Sequence, residues 1–262
     1  MTDIAAPGGF RNLWKRAITG IILVAVALGA LWLGQWSFWL LVTLLAAAMM
    51  YEWGGLMKAP GRKTLSFTAI LVLLMLLFSP AYAPVDWLDL ATTAVVGVVA
   101  GLAFWSARLG AGFLYIAAAS IAILVLREQG GLVLTVWTLA IVWGTDIGAY
   151  FSGKTIGGPK LAPEFSPNKT WAGLIGGIAS AMLVSAAFVI AADLPAPIIA
   201  LAALLAIVAQ LGDLFESWLK RKADVKDSSN LFPGHGGALD RLDGLLPVAI
   251  GVAALTSTGW LT

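Results

Sequence analysis

The chain has 262 residues, of which 60% are hydrophobic and only 11% charged, and its mean hydropathy is +0.91. A soluble domain of this size carries roughly a quarter charged residues, so a soluble fold is excluded and a polytopic helical membrane protein is expected. The lack of cysteine excludes disulfides, thiolate metal sites and cysteine nucleophiles; the single histidine argues against a His-rich zinc site; the net charge of +2 carries information only through its distribution.

Residues 1–12 are polar and bear Gly and Pro. Arg11, Lys15 and Arg16 precede an apolar run at 17–34, which reads as a retained span because no small-residue cleavage site follows cleanly. Further runs near the ~20 residues that a bilayer requires fall at 36–51, ending at Glu52, and at 64–82, 90–107, 111–126, 131–149, 171–191, 196–219 and 244–261. The expectation is an all-α polytopic membrane protein of nine spans. It forms a single membrane-embedded unit, with N-terminal helices over 1–130 and a motif-bearing core over 131–262. With the N-terminus in the cytoplasm and the C-terminus opposite, fifteen of the sixteen basic residues face inward and only Arg127 faces outward, as the positive-inside rule demands. The twelve Trp, mostly near span ends, are expected to anchor and pack.

Three polar stretches stand out. Asp213, Glu216, Ser217 and Lys220 are spaced i, i+3, i+4, i+7, which puts them on one helix face. They read either as a cation ligand beside phosphate-binding groups or as a local ion pair with snorkelling. Pro233-Gly234-His235-Gly236-Gly237 is a turn whose glycines can aim N–H groups at an anion, although a plain loop is the default. Asp240, Arg241 and Asp243 follow, suited to a hard cation that bridges phosphates or to an ion-pair network. Upstream, Asp146 lies inside an apolar run, where an ionisable residue is a functional candidate. Lys154, Lys160 and Ser166-Pro167-Asn168-Lys169-Thr170 follow before the seventh span, where a helix start favours anions. No P-loop pattern occurs. The stretch Gly212–Gly244 holds five of the sixteen Lys and Arg, six of the fourteen acids and the one His. By the expected topology it opens on the same face as the 150–169 loop, so the two can form one site at the membrane–cytoplasm boundary.

The run SWLKRKADVKDSSNLFPGHGGALDRLD resembles the signature of phosphatidate cytidylyltransferases, also called CDP-diacylglycerol synthases. It does so through Ser217, Lys220, Arg221, Lys226, Asp227, Pro233 to Gly237, Asp240, Arg241 and Asp243. Asp213 and the middle segment with Asp146, Tyr150, Lys154 and SPNKTWAGLIGG share the likeness. The motif-bearing part spans roughly the C-terminal 45% of the chain; the N-terminal spans match only as hydrophobic helices. The resemblance implies that CTP and phosphatidate give CDP-diacylglycerol and pyrophosphate with Mg²⁺, for phospholipid biosynthesis. It implies that Asp213 and Asp240 hold the metal, with a second, monovalent cation as an option, and that the protein is a homodimer in the bacterial inner membrane. No nucleic-acid partner is expected.

The chemistry of the residues fits that reaction. A lipid phosphate monoester has a second pKa of roughly 6 and is largely dianionic at neutral pH, so no strong general base is required. Positioning, metal and basic clamps suffice. Asp213 and Asp240 are expected as metal ligands, with Asp243 as a third or outer candidate. Lys220, Arg221, Lys226 and Arg241 are expected as phosphate clamps, with Asp227 beside them and His235 as a donor to phosphate or a structural turn residue. Asp146 is expected to hold a cation or order a lysine. Lys160, Ser166, Lys169, Thr170, Ser217, Gly236 and Gly237 are expected on the substrates. The rivals are a related lipid-phosphate cytidylyltransferase or polyprenol kinase and, from another class, a transporter of an anionic solute. Charge gathered on one face and two unlike halves speak against the transporter.

Overall fold

The computed structural model describes residues 9–81, 87–232, 234–259 and 261. Pro233 of the glycine-rich turn, and part of the loop expected between the third and fourth spans, lie outside them. The helices are α1 (Gly9–Leu33), α2 (Gln35–Leu56), α3 (Gly61–Leu77), α4 (Trp87–Ala103), α5 (Ala107–Gln129), α6 (Gly131–Thr155), α7 (Trp171–Ala192), α8 (Ile198–Ala223), the single turn α9 (Leu239–Leu242) and α10 (Leu245–Ser257). Among the described residues five of these, α2, α5, α6, α7 and α8, are long and apolar enough to cross a membrane. Ile18–Leu33, Asp89–Ala103 and Leu245–Ser257 are apolar but shorter.

The fold is nearly all helical, with one correction. The segment expected as a polar loop carries a two-stranded antiparallel hairpin, β1 (Lys160–Ala162) and β2 (Ser166–Thr170), in which Lys160 pairs with Thr170 and Ala162 with Ser166. The helices also outrun their apolar segments. Helix α2 continues to Leu56, so Glu52 lies inside it; α5 has 23 residues rather than a short span; α8 continues through Lys220 and Arg221 to Ala223. Lys, Arg and Ala are good helix formers, so hydropathy marks the edge of the apolar environment and not the edge of the helix. Helix α8 stops where Asp224 turns left-handed at φ 61°.

Helix α5 is the centre of the bundle, with residues from Leu109 to Leu126 lining the core against α2, α4, α6 and α10. Three tryptophans are buried rather than interfacial: Trp39, Trp53 and Trp137 donate their indole N–H to Met75 O, Arg108 O and Ser185 Oγ, each at 2.9 Å. Helices α6 and α7 pack closely. A Cβ at Gly148 would meet Ser180, and one at Gly176 would meet Ser152; small residues let two helix backbones approach in this way. The hairpin joining α6 to α7 then hangs Lys169 over the polar face of α8.

Candidate active site

A polar chamber of about 660 Å³ lies among α6, the hairpin, α7 and α8. Its walls include Asp146, Tyr150, Lys154 and Lys160, with Lys169 and Asp213 on the α8 side. The volume falls in the roughly 300–1,000 Å³ range of small-molecule sites. Lys169 Nζ stands 2.5 Å from Asp213 Oδ2 and donates to Gln210 Oε1 at 3.0 Å. Ser217 donates to Asp213 Oδ1 at 3.3 Å, one helical turn on. Lys154 is exposed and its Nζ is 3.3 Å from the Tyr150 hydroxyl. Asp146 lines this chamber and also lines an apolar cavity, formed by α2, α5, α6 and α10, whose polar end is completed by Arg241 and Asp243. Arg241 and His235 in turn line a third cavity, of about 250 Å³, whose remaining wall is apolar and includes residues of α1 and α2, Trp143 of α6 and Phe232.

Behind the chamber the acids crowd together. Asp146 lies within electrostatic reach of Asp213, Lys169 and Arg241, and Asp243 within reach of Asp213 and Glu216. Glu216 is 3% exposed and its Oε1 has no hydrogen-bond donor. Asp243 and Glu216 therefore crowd like charge at one point, a setting that a cation would relieve. Among the described residues no three acidic or histidine side chains already converge as a metal site.

Asp240 is seated differently. Its Oδ1 accepts from Lys220 Nζ at 2.6 Å, and its Oδ2 accepts from Ser228 N, Ser228 Oγ and Gly237 N, each at 2.8 Å. Burial alone would raise this carboxyl. The hydrogen bonds from Lys220, Gly237 and Ser228 outweigh it and hold Asp240 below the usual carboxylate range. Lys220 also donates to Glu216 Oε2 at 2.9 Å. The glycine-rich turn closes through Phe232 N to Gly236 O and His235 N to Phe232 O, both 2.8 Å. Gly236 has φ +79°, and a Cβ there would stand 2.7 Å from Asp240 Oδ2, so the position is glycine for two reasons.

A sequence profile of the Cytidylyltransferase family matches residues 14–258. The chain belongs to the cytidylyltransferase family. It is similar to the phosphatidate cytidylyltransferase of Brucella suis, 41% identical over 252 residues that cover 91% of each chain. It is also similar to that of Pseudomonas aeruginosa, 36% identical over 269 residues covering 95% of this chain and 98% of the relative. To that of Bacillus subtilis it is 50% identical over 122 residues, 45% of each chain.

In this cytidylyltransferase-family chain the structure sorts the residues singled out from sequence. Asp146, Lys160, Lys169 and Asp213 line the chamber, as does Thr170. Thr170 is 3% exposed and its hydroxyl caps α7 by accepting from Gly173 N at 3.0 Å. Ser166 sits in β2 opposite Ala162 and does not line the chamber. Arg221 reaches the carbonyls of Phe165 and Val225 at 3.4 Å. Lys226 and Asp227 are exposed in the loop after α8. Asp240 and Asp243, read together from sequence as suited to a hard cation, point to different partners. The former faces the turn and Lys220, the latter the Glu216–Asp213 cluster. The turn's N–H groups do meet anions, but these are the protein's own carboxylates: Gly237 donates to Asp240, and Ala238 and Leu239 donate to Glu52 at 2.9 and 2.8 Å. Sequence reasoning missed two residues. Gln210, 5% exposed, lies one turn before Asp213 and was detectable as an amide in an apolar run. Glu52 was read as a span boundary.

Proposed function

We propose that the chain transfers the CMP moiety of CTP to phosphatidate, giving CDP-diacylglycerol and pyrophosphate. The observation that carries this reading is that Asp146 lines both a lysine-bearing polar chamber and an apolar cavity. One site is thereby open to a water-soluble polyanion on one side and to a lipid on the other. The names of the relatives point the same way.

In this reading CTP occupies the chamber, with Lys154, Lys160 and Lys169 against its phosphates. Phosphatidate lies with its chains along the apolar walls and its phosphate toward Arg241 and His235. A phosphatidate oxygen forms the new bond to the α-phosphorus as the bond from that phosphorus to the pyrophosphate oxygen breaks, and pyrophosphate leaves as an anion. The nucleophile is already ionised, with a second pKa of roughly 6, so these side chains align and neutralise rather than remove a proton. Mg²⁺ fits the acid cluster behind the chamber. Asp213 and Asp243 would hold it beside Glu216, whose Oε1 lacks a donor; Asp240 would join only by releasing its bonds to Lys220 and the turn. When bound, such an ion neutralises phosphate charge and stabilises the leaving group. A monovalent second cation, nine spans with the N-terminus in the cytoplasm, a site facing the cytoplasm of a bacterial inner membrane and a homodimer complete the proposal. The inward bias of the basic residues supports the orientation.

The test is pyrophosphate release by the purified protein in lipid–detergent micelles, with and without Mg²⁺, using CTP and phosphatidate. Release that needs both substrates and Mg²⁺, and that is lost in folded Asp213→Asn, is the expected result. No release with CTP and phosphatidate, or with other nucleotides and lipid phosphates, would sink the reading. Release that persists in Asp213→Asn keeps the reaction and moves the metal.

A further inference from the structure

We propose that Glu52 of α2 is a positioning residue of this site, acting as an internal anion that fixes the glycine-rich turn and, through it, Asp240, Arg241 and His235. Glu52 is 3% exposed and has no cationic partner among the described residues. Its carboxylate instead accepts four hydrogen bonds from one segment. Oε1 takes Ser229 Oγ at 2.7 Å and Ala238 N at 2.9 Å; Oε2 takes Ser228 Oγ at 3.1 Å and Leu239 N at 2.8 Å. These partners bracket the turn on both sides. Ser228 Oγ also lies 2.8 Å from Asp240 Oδ2, so its one hydroxyl proton is shared between the two carboxylates.

The steric evidence agrees. A Cβ at Gly237 would collide with Ser228 Oγ and with Glu52, so the turn closes onto Glu52 with no room for a side chain. The helix that supplies Glu52 is itself pinned at that point, because the next residue, Trp53, donates to Arg108 O at 2.9 Å. A buried carboxylate is stable without a cation when it accepts several N–H and O–H bonds. Glu52 touches no chamber wall and acts only through the residues it holds. Arg241 follows directly from that seat and donates its Nε to His235 O at 2.7 Å, which carries the order of the turn to the lipid end of the site.

This inference rests on the proposed reaction for its kinetic half only. The first measurement is amide hydrogen exchange across the full-length protein in micelles, comparing the parent with Glu52→Gln. Glutamine keeps the shape but turns one oxygen into a donor facing an N–H. Exchange of the Ala238 and Leu239 amides is expected to quicken by about tenfold or more, while α5 and α6 keep their parent rates. The second measurement is pyrophosphate release per folded protein. The kcat is expected to fall about tenfold, with KM for CTP within about twofold of the parent, and Glu52→Asp is expected to recover part of that loss. Where Glu52→Gln does not fold, the Ser228→Ala/Ser229→Ala double variant carries both measurements, with effects of about threefold or more. Unchanged exchange at 238 and 239 overturns the proposal. So does a uniform quickening through α5 and α6, which would make Glu52 a general stability residue, and so does local quickening with kcat intact. A parent that releases no pyrophosphate defeats the reaction assignment, while the exchange measurement still decides whether Glu52 holds the turn.

Discussion

The polar chamber and the seat of the glycine-rich turn both gather carboxylates and hydrogen-bond donors and end in opposite states. In the chamber Lys154 and Lys160 are exposed to the cavity, and the cluster behind it leaves Glu216 Oε1 without a donor. At the turn, Glu52 and Asp240 absorb the N–H groups of Gly237, Ala238 and Leu239 together with the hydroxyls of Ser228 and Ser229. A satisfied polar network rigidifies, whereas an unsatisfied one waits for a ligand. The difference separates binding from positioning: the chamber is where charge is to be brought in, and the turn is where the protein's own donors already fill the carboxylates.

The sharpest way to break this contrast is at Asp213. Asp213→Asn is expected to lower pyrophosphate release by on the order of 10²–10³-fold while shifting unfolding by less than about 1 kcal/mol. Comparable loss of stability would show that the acid is a structural partner of Lys169 and nothing more. Lys169→Ala should cost about tenfold in kcat/KM for CTP, read by varying CTP at fixed lipid; an effect confined to the lipid KM would place the residue on the wrong substrate. Gly237→Ala attacks the other region. Overpacking against Ser228 and Glu52 is expected to destabilise by about 1–3 kcal/mol, seen as a lower melting temperature in detergent. An unchanged melting temperature would mean that the seat is loose. The smallest effect is expected away from both regions. The exposed pair Lys58–Asp224, 3.2 Å apart, should contribute no more than about 0.5 kcal/mol when Lys58 is replaced by Ala, and activity should be unmoved.

The helical fold and the polar face of α8 were legible because they follow from local rules. Apolar runs set the helices, and i, i+4 spacing set Ser217 beside Asp213 and Lys220 beside Glu216. Lys169 meeting Asp213 across 44 positions in sequence was expected only as two loops opening on one face; the hairpin that delivers it was not expected. Its residues are few and irregularly patterned, and the register shift between Lys160 and Ala162 weakens the period-2 signal on which a strand reading relies.

Sequence alone therefore determined the membrane class, the places where helices form, the family and most of the residues in the chamber, because hydropathy, spacing and a dense motif are properties of short windows. Only the tertiary structure decided which carboxylates are open and which are filled. Glu52 and the turn it holds are separated by more than 170 positions, and nothing local distinguishes an acid that ends a span from one that lies inside a helix and faces four donors. A hydrogen bond's value depends on whether its partner has another, and that is settled when distant segments meet, by the geometry that brings α2 under the turn and leaves α6 and α8 apart around a cavity.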